Sequence, residues 1–276
     1  MKNMIIHGAI GDTYGAAFEF AERSFIQKEN TLTKYLTGKY TDDTQMAIGV
    51  AELILENQEW TSLNIANKFV EVFQRDFRKG YARRFSQLMT EVKDGQELLD
   101  RIIPKSERNG AAMRAYPIGV FEDEKEVLAK AKIQGEVTHQ TKKAIDAAEA
   151  IALMSHYFIF QKGNKNQLIE YLADVQGREW KANWNGEVKI DGEETVEAVL
   201  YVFEKTNTLQ DALRMSIDLG GDTDTVASLA LAIGSLTNEF KKDLPQWMYD
   251  DLENEKYGKD YMKDLDEQLI KKIKTI

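Results

Sequence analysis

Apolar side chains recur every three or four residues along most of the chain, the spacing that puts them on one face of an α-helix. One stripe runs from Met46 to Ile54, and a second runs from Ile65 to Phe73. Further helices are predicted over residues 124–131, 142–161, 166–172, 195–205, 209–219, 225–237 and 261–273. Helix is therefore the expected dominant element.

Strand-like alternation is short. Residues 187–190, flanked by Gly186 and Gly192, form the only plausible edge of a hairpin. No internal repeat, low-complexity tract or linker rich in proline and serine divides the chain. We therefore predict one all-α domain over residues 1–276, with the heavily charged stretch 250–276 forming a solvated helix pair on the outside.

The composition narrows the ligand chemistry. The 276 residues include 36 basic and 46 acidic side chains, with a formal charge of -10 and no cysteine. Disulfides, thiolate metal sites and a cysteine nucleophile are excluded, so any metal must be bound by oxygen or imidazole. The acidic balance also argues against duplex nucleic acid as the main partner.

The amino-terminal stretch predicts neither export nor membrane insertion. Gly8, Gly11 and Asp12 interrupt its apolar run too early for the core of a signal peptide, and no run of about 18 apolar residues follows. We therefore expect a cytoplasmic protein with no membrane partner.

The same stretch carries the first unusual motif. Gly8, Gly11 and Gly15 share one helical face, which permits close contact with another helix, and Glu19 falls two turns after Asp12 on that face. Taken alone, the pattern is also typical of a tightly packed first helix with one solvated glutamate.

Two acidic segments lie at predicted helix starts. Residues 41–44 read Thr-Asp-Asp-Thr, and residues 220–225 read Gly-Gly-Asp-Thr-Asp-Thr, with glycines that allow positive φ or a close backbone approach. Helix capping explains one acid at each place, but it explains paired acids flanked by hydroxyls less well. Brought together from 180 residues apart, these oxygens would suit Mg²⁺, Mn²⁺ or Ca²⁺. Zinc is disfavoured because the three histidines show no ligand spacing.

A further segment, Asn109 to Gly119, could present backbone N–H groups around Gly110 to a phosphate. Arg114 could reinforce that binding or lock the loop through a buried carboxylate. Taken alone, His139 is more typical of a structural histidine, and residues 78–85, which contain four basic side chains, are typical of an exposed basic turn.

In this order, the motifs resemble the ADP-ribosylglycohydrolase family, which includes dinitrogenase reductase-activating glycohydrolases and ADP-ribosylhydrolases. The resemblance runs from Gly8 to about Leu236. It implies a compact orthogonal helix bundle with a dimetal cleft. The chain departs from the family pattern at Arg108, where glycine is common, and at residues 140–144, which replace an Asn-His-Pro-Glu-Gly-like run. Both departures touch the substrate rim.

The resemblance also implies roles for individual residues. Two Mg²⁺ ions, or Mn²⁺, would be bound by Thr41, Asp42, Asp43, Asp222, Asp224 and Thr225. Glu19 matches a flexible acidic residue at the mouth of the cleft. Substrate contacts are expected from Asn109, Gly110, Met113, Arg114, His139 and Gly221.

The implied activity is a Mg²⁺-dependent hydrolysis that removes ADP-ribose from a modified protein, nucleotide or small molecule at the anomeric carbon of the distal ribose. Candidate catalytic bases are Glu19, Asp43 and Asp224. We expect a monomer. Two alternatives are an immunity protein on the same scaffold that binds an ADP-ribosyltransferase, and a metal-dependent hydrolase of another nucleotide-like substrate.

Overall fold

The computed structural model describes residues 3–275, and the side chains of residues 3–273. Over that range the regular elements are helices, and strand pairing is confined to isolated bridges. The α-helices are α1 Met4–Gly15, α2 Arg23–Glu29, α3 Asp42–Glu56, α4 Ser62–Arg75, α5 Arg83–Glu91, α6 Gly95–Arg101, α7 Glu124–Glu136, α8 Lys142–Ile159, α9 Leu168–Gln176, α10 Gly192–Lys205, α11 Leu209–Leu219, α12 Thr223–Gly234, α13 Gln246–Asp250 and α14 Lys259–Thr275. Short 3₁₀ helices cover Asn109–Ala111, Tyr116–Val120 and Lys165–Gln167.

The all-α class predicted from the sequence is confirmed. Helices α2, α5, α6 and α13 had no counterpart in the sequence prediction.

Helices α1 and α12 form the centre of the protein, and every residue of both is buried. They pack along each other through the glycine face predicted for α1. A Cβ on Gly11 would lie 2.3 Å from the Ala227 carbonyl oxygen, and one on Gly15 would lie 2.5 Å from Cα of Asp224. Glycine therefore permits a backbone contact that any other residue would block.

The remaining helices surround this pair. Helix α3 packs against α1, α4 and α14, while α8 packs against α7 and α10. Their buried apolar side chains join into one continuous core. No helix within residues 3–275 has the length and apolar character needed to cross a membrane.

Helix α1 ends at Gly15, so the prediction that Glu19 stands above Asp12 on one helix is wrong. The chain turns after Gly15, and Phe20, with φ of +50°, donates its N–H to the Gly221 carbonyl at 2.8 Å. This contact with a distant loop ends the helix and holds Glu19 on a turn.

Residues 187–190 do not form the predicted hairpin edge. Val188 instead makes a single parallel bridge to Gly221: its N–H donates to the Gly220 carbonyl, and its carbonyl accepts the N–H of Asp222. A Cβ on Gly221 would lie 2.0 Å from the Val188 carbonyl oxygen, and both glycines have positive φ. Residues 187–190 therefore pack over the Gly220–Asp222 loop.

The charged carboxyl end does not form the predicted solvated helix pair. Residues 251–258 are not helical, and α14 alone packs on α1 and α3 through Met262, Leu265 and Leu269. Asp266 is buried on the same helix and accepts the N–H groups of Ile5 and Ile6 at 3.0 and 3.1 Å. Ile276 lies outside the described residues.

Candidate active site

The Thr-Asp-Asp-Thr segment forms the amino end of α3. Thr41 is the N-cap, and its hydroxyl accepts the N–H of Asp43. Asp42 and Asp43 occupy the first turn, where the positive end of the helix dipole favours carboxylates. Both are buried, at 8% and 3% exposure. The predicted helix cap is confirmed. Because Thr41 provides the cap, the carboxylates of Asp42 and Asp43 are available for other contacts.

Asp12 holds this segment in place. Its carboxylate accepts the Thr41 N–H at 2.9 Å, the Thr44 N–H at 3.1 Å and the Thr44 hydroxyl at 2.6 Å. Both ends of the motif are therefore tied to α1 by one fully buried side chain. Asp12 was absent from the predicted site residues, although an acid on an otherwise apolar and glycine-lined helix is a signal that could have identified it.

The stretch from Arg78 to Tyr81 also contacts the motif, and the interpretation of residues 78–85 as an exposed basic turn fails at Arg78. Arg78 is buried and pairs with Asp76 and Glu253. The Lys79 carbonyl accepts the N–H of Asp42 at 3.0 Å. The other three basic side chains, Lys79, Arg83 and Arg84, are exposed as predicted.

The second acidic segment begins α12. Asp222 is the N-cap, Asp224 lies in the first turn, and Thr225 follows, all at 3% exposure. Nδ2 of Asn109 donates to Oδ2 of Asp222 and to the Thr195 hydroxyl. Asn109, predicted as a substrate contact, is thus directed at a predicted metal ligand.

The fold brings the two acidic segments together. Helix α12 contacts α3, and the charges of Asp222 and Asp43 both raise the pKa of Asp224, so the start of α12 lies beside the start of α3. One carboxylate oxygen from each of Glu19, Asp222 and Asp224 lies within 4.8 Å of the others. Glu19 itself is exposed, and it therefore lies at the mouth of the acidic cluster.

The cluster has excess negative charge. Burial, followed by the neighbouring carboxylates, raises the pKa of Asp42, Asp43 and Asp224 well above the usual range of aspartate. Within the described residues, no lysine or arginine forms a salt bridge with these acids. Oδ1 of Asp43 is buried and has no hydrogen-bond partner there. An all-oxygen donor set with an unpartnered carboxylate oxygen fits hard divalent cations such as Mg²⁺.

Arg114 locks its loop, but not through a carboxylate as the sequence analysis had suggested. At 2% exposure it donates to the Gln134 side chain and carbonyl and to the Thr138 hydroxyl, and its guanidinium stacks on Phe69. Burial lowers its pKa to about 9, so it stays charged at neutral pH. Its position in the loop therefore depends on neutral partners.

The other predicted substrate residues lie around this loop. Met113 is buried, whereas Gly110 and His139 are half-buried and face each other. A Cβ on Gly110 would lie 3.0 Å from Cε1 of His139. Gly221 is buried beneath Val188. The loop reaches the acidic cluster through Asn109.

A separate open groove of about 640 Å³ is lined by Lys181, Trp184, Tyr201 and Lys205, among others. None of the predicted site residues line it. The cluster of buried acids, rather than this groove, is where the groups able to do chemistry converge.

Comparisons with known proteins identify relatives along the whole chain. A sequence model of the family described as ADP-ribosylglycohydrolase matches residues 1–275. The ADP-ribosylhydrolase ARH3 of Xenopus tropicalis is 25% identical, with 84% of this chain and 85% of that protein aligned. The ADP-ribosyl-[dinitrogen reductase] glycohydrolase of Rhodospirillum rubrum is 24% identical, with 83% and 82% aligned.

A third relative, the ADP-ribosylarginine hydrolase Tri1 of Pseudomonas putida strain GB-1, is 22% identical, with 90% of this chain and 72% of that protein aligned. Among solved structures, a chain titled "ADP-ribosylglycohydrolase-related protein complex" superposes with a TM-score of 0.75 at 20% identity. The superposition covers 98% of this chain and 96% of that one, which shows a shared fold.

Proposed function

Because the chain belongs to the ADP-ribosylglycohydrolase family, we propose that it is a Mg²⁺-dependent hydrolase that removes ADP-ribose from a modified acceptor. The bond cleaved would be the one at the anomeric carbon of the distal ribose. The relatives reported above are all named as hydrolases or glycohydrolases, so the alternative of an immunity protein that only binds a transferase is not favoured.

The observation that supports this proposal most is the convergence of two acidic helix starts in one buried, all-oxygen cluster. Two Mg²⁺ ions, or Mn²⁺, would be bound by six side chains: Thr41, Asp42, Asp43, Asp222, Asp224 and Thr225. When bound, such ions supply charge stabilisation and lower the pKa of coordinated water. The unpartnered Oδ1 of Asp43 is available as a ligand in the structure as it stands.

The protein's own side chains would position the substrate and move the proton. Glu19 lies at the exposed mouth next to Asp222 and Asp224. Partial desolvation of its carboxyl group raises its pKa first, followed by the charges of Asp222 and Asp12. A carboxyl group with a raised pKa is suited to proton transfer near neutral pH. Glu19, Asp43 and Asp224 are therefore the proposed candidates for the general base.

Substrate contacts are proposed for the loop beside the cluster. Gly110, Met113, His139 and Gly221 would contact the ADP-ribose moiety directly. Asn109 and Arg114 would support it from behind, since Asn109 donates to Asp222 and Arg114 is buried against Gln134 and Thr138. The acceptor released would be a protein, a nucleotide or a small molecule.

The test is release of ADP-ribose from arginine-linked, serine-linked, nucleobase-linked and O-acetyl substrates, each assayed with Mg²⁺ and with EDTA. At least one substrate should show EDTA-sensitive turnover.

Asp42→Ala and Asp224→Ala should abolish this turnover while circular dichroism shows a folded protein. Asp100→Ala, at an exposed acid on α6, serves as the matched control and should retain activity. Full activity in both cluster variants would refute the metal assignment, and no EDTA-sensitive turnover of any substrate would favour a different nucleotide-like substrate.

A further inference from the structure

The three histidines of the chain differ in what their ring nitrogens face. Nδ1 of His139 lies 2.7 Å from the hydroxyl oxygen of Thr138. The same oxygen accepts a hydrogen bond from Nη2 of Arg114, also at 2.7 Å. Arg114 and Thr138 are buried, at 2% and 5% exposure, so bulk water does not compete for these contacts.

The donors and acceptors along the Arg114–Thr138–His139 contacts indicate which ring nitrogen of His139 carries the proton. A guanidinium only donates, and a threonine hydroxyl has one hydrogen to give. Within the described residues, Nδ1 of His139 is the one acceptor in contact with the Thr138 hydroxyl. Donation to Nδ1 is the arrangement that satisfies this hydroxyl hydrogen while the oxygen accepts from Arg114. Nδ1 then carries no proton, and the neutral imidazole carries its hydrogen on Nε2.

The other two histidines have the opposite arrangement. Nδ1 of His7 lies 2.6 Å from the Asn3 carbonyl oxygen, and Nδ1 of His156 lies 2.9 Å from the Phe121 carbonyl oxygen. Carbonyl oxygens only accept, so both rings carry a proton on Nδ1. His139 thus differs from the two buried structural histidines in the same molecule.

The Nε2 of His139 points to the loop beside the acidic cluster. It lies 3.3 Å from the place a Cβ on Gly110 would occupy, and the adjacent Asn109 donates to Asp222. The half-buried ring makes no hydrogen bond through Nε2 within the described residues. Burial, followed by the charges of Arg114 and Arg108, lowers the pKa of His139 to about 3, so the ring is neutral at physiological pH.

We propose that Thr138 is a positioning residue whose hydroxyl, fixed by Arg114, holds His139 in the Nε2–H tautomer. The ring then presents a neutral N–H donor beside Gly110 to an acceptor oxygen of the ligand. This inference rests on the proposed function for the identity of that ligand, ADP-ribose. An oxygen of its diphosphate or of a ribose hydroxyl would accept the hydrogen bond.

The tautomer can be read directly in the protein without substrate. Long-range proton–nitrogen correlation spectra of labelled protein distinguish protonated from unprotonated ring nitrogens. His139 is assigned by loss of its signals in His139→Ala. We expect Nε2–H for His139 and Nδ1–H for His7 and His156 in one spectrum. An Nδ1–H tautomer for His139 in the wild-type protein would overturn the proposal.

The variants separate the role of the hydroxyl from that of side-chain shape. Thr138→Val keeps the shape of the side chain and removes the hydrogen-bond donor, so His139 should show a mixture of tautomers or the Nδ1–H form. The affinity for ADP-ribose, measured by calorimetry, should fall about tenfold, which is the value of one hydrogen bond. Thr138→Ser should restore both. In the His139→Ala background, Thr138→Val should cause no further loss of affinity. An unchanged tautomer in folded Thr138→Val would refute the positioning role.

The two proposals fail separately. If the tautomers are as expected but ADP-ribose does not bind and no ADP-ribosyl linkage is hydrolysed, then the proposed function is wrong, and the positioning of His139 by Thr138 stands.

Discussion

A Cβ atom on Gly80 would lie 1.8 Å from Oδ1 of Asp42. Gly80 also has φ of +104°, a conformation that side-chain-bearing residues rarely adopt. The segment therefore needs glycine at this position for two independent reasons. Together with the bond from the Asp42 N–H to the Lys79 carbonyl, this contact places a proposed metal ligand against a loop from another part of the chain.

Gly80→Ala should displace Asp42. We expect at least about a tenfold loss of Mg²⁺ affinity, the usual effect of disturbing a group that orients a ligand, measured by titration calorimetry. Gly186→Ala is the matched control, because Gly186 has φ of +100° and nothing within 4 Å of its Cβ position. Both variants should lose about 1–3 kcal/mol of stability from backbone strain. Equal Mg²⁺ affinities in the two variants would show that the contact with Asp42 has no role in binding.

Asn109→Ala should weaken metal binding through Asp222. The amide hydrogen bond orients the carboxylate, so its loss should lower Mg²⁺ affinity by about 10- to 100-fold and leave an unpaired acceptor on Asp222. Asn64→Ala, at a surface amide that donates to the Glu59 carbonyl, controls for a general effect of the substitution. Retained metal affinity with reduced ADP-ribose affinity would instead restore Asn109 to the direct substrate contacts.

The parts of the site that sequence could predict are local. Thr41 as a cap, the acids beside it and the glycine face of α1 follow from residues within one or two turns, and the structure shows each of them in place. Helix periodicity also identified α3, α4, α8 and α12 because their buried faces repeat in sequence.

The parts that sequence missed depend on contacts between distant segments. Asp12 contacts Thr41 and Thr44 across 29 and 32 positions. The local sequence marks this acid as unusual but does not show which groups its carboxylate binds. The position of Glu19 depends on the bond from Phe20 to Gly221, which overrides the helical spacing of the first motif. Such pairings arise only after the helices pack.

Asp266 predicts a pH-dependent stability. The N-cap residue of α1 provides no side-chain cap. Asp266 instead accepts the N–H groups of Ile5 and Ile6, which precede it by 261 and 260 positions. Burial raises the pKa of this carboxyl from 3.8 to about 7, although hydrogen bonds from the backbone of residues 4–6 lower it. Because the folded pKa is raised, the stabilising contribution is present in full below about pH 4 and is lost as the pH rises through about 7.

The measurement is urea unfolding of wild type and Asp266→Asn between pH 4 and 8, with Mg²⁺ constant. The free energy of unfolding of wild type should fall relative to the variant by up to about 4 kcal/mol over that range. Asp264→Asn, at an exposed acid on the same helix, should track wild type. A difference between wild type and Asp266→Asn that does not change with pH would contradict the buried, raised pKa.

Removal of metal should reverse the stability order of wild type and Asp224→Asn. Without metal, wild type holds a carboxylate at 3% exposure against Asp222 and Asp43, so the neutral amide should relieve repulsion and raise the melting temperature in EDTA. With Mg²⁺ at about 100 times its dissociation constant, wild type should gain about 2.7 kcal/mol from binding to the folded state alone. The variant, with a weaker ligand, should gain much less.

Thermal melts in EDTA and in Mg²⁺ test this prediction, with Asp100→Asn as the control that should follow wild type under both conditions. If Asp224→Asn were less stable than wild type in EDTA and showed the same Mg²⁺-induced shift, the buried acids would be a structural network and not a cation site.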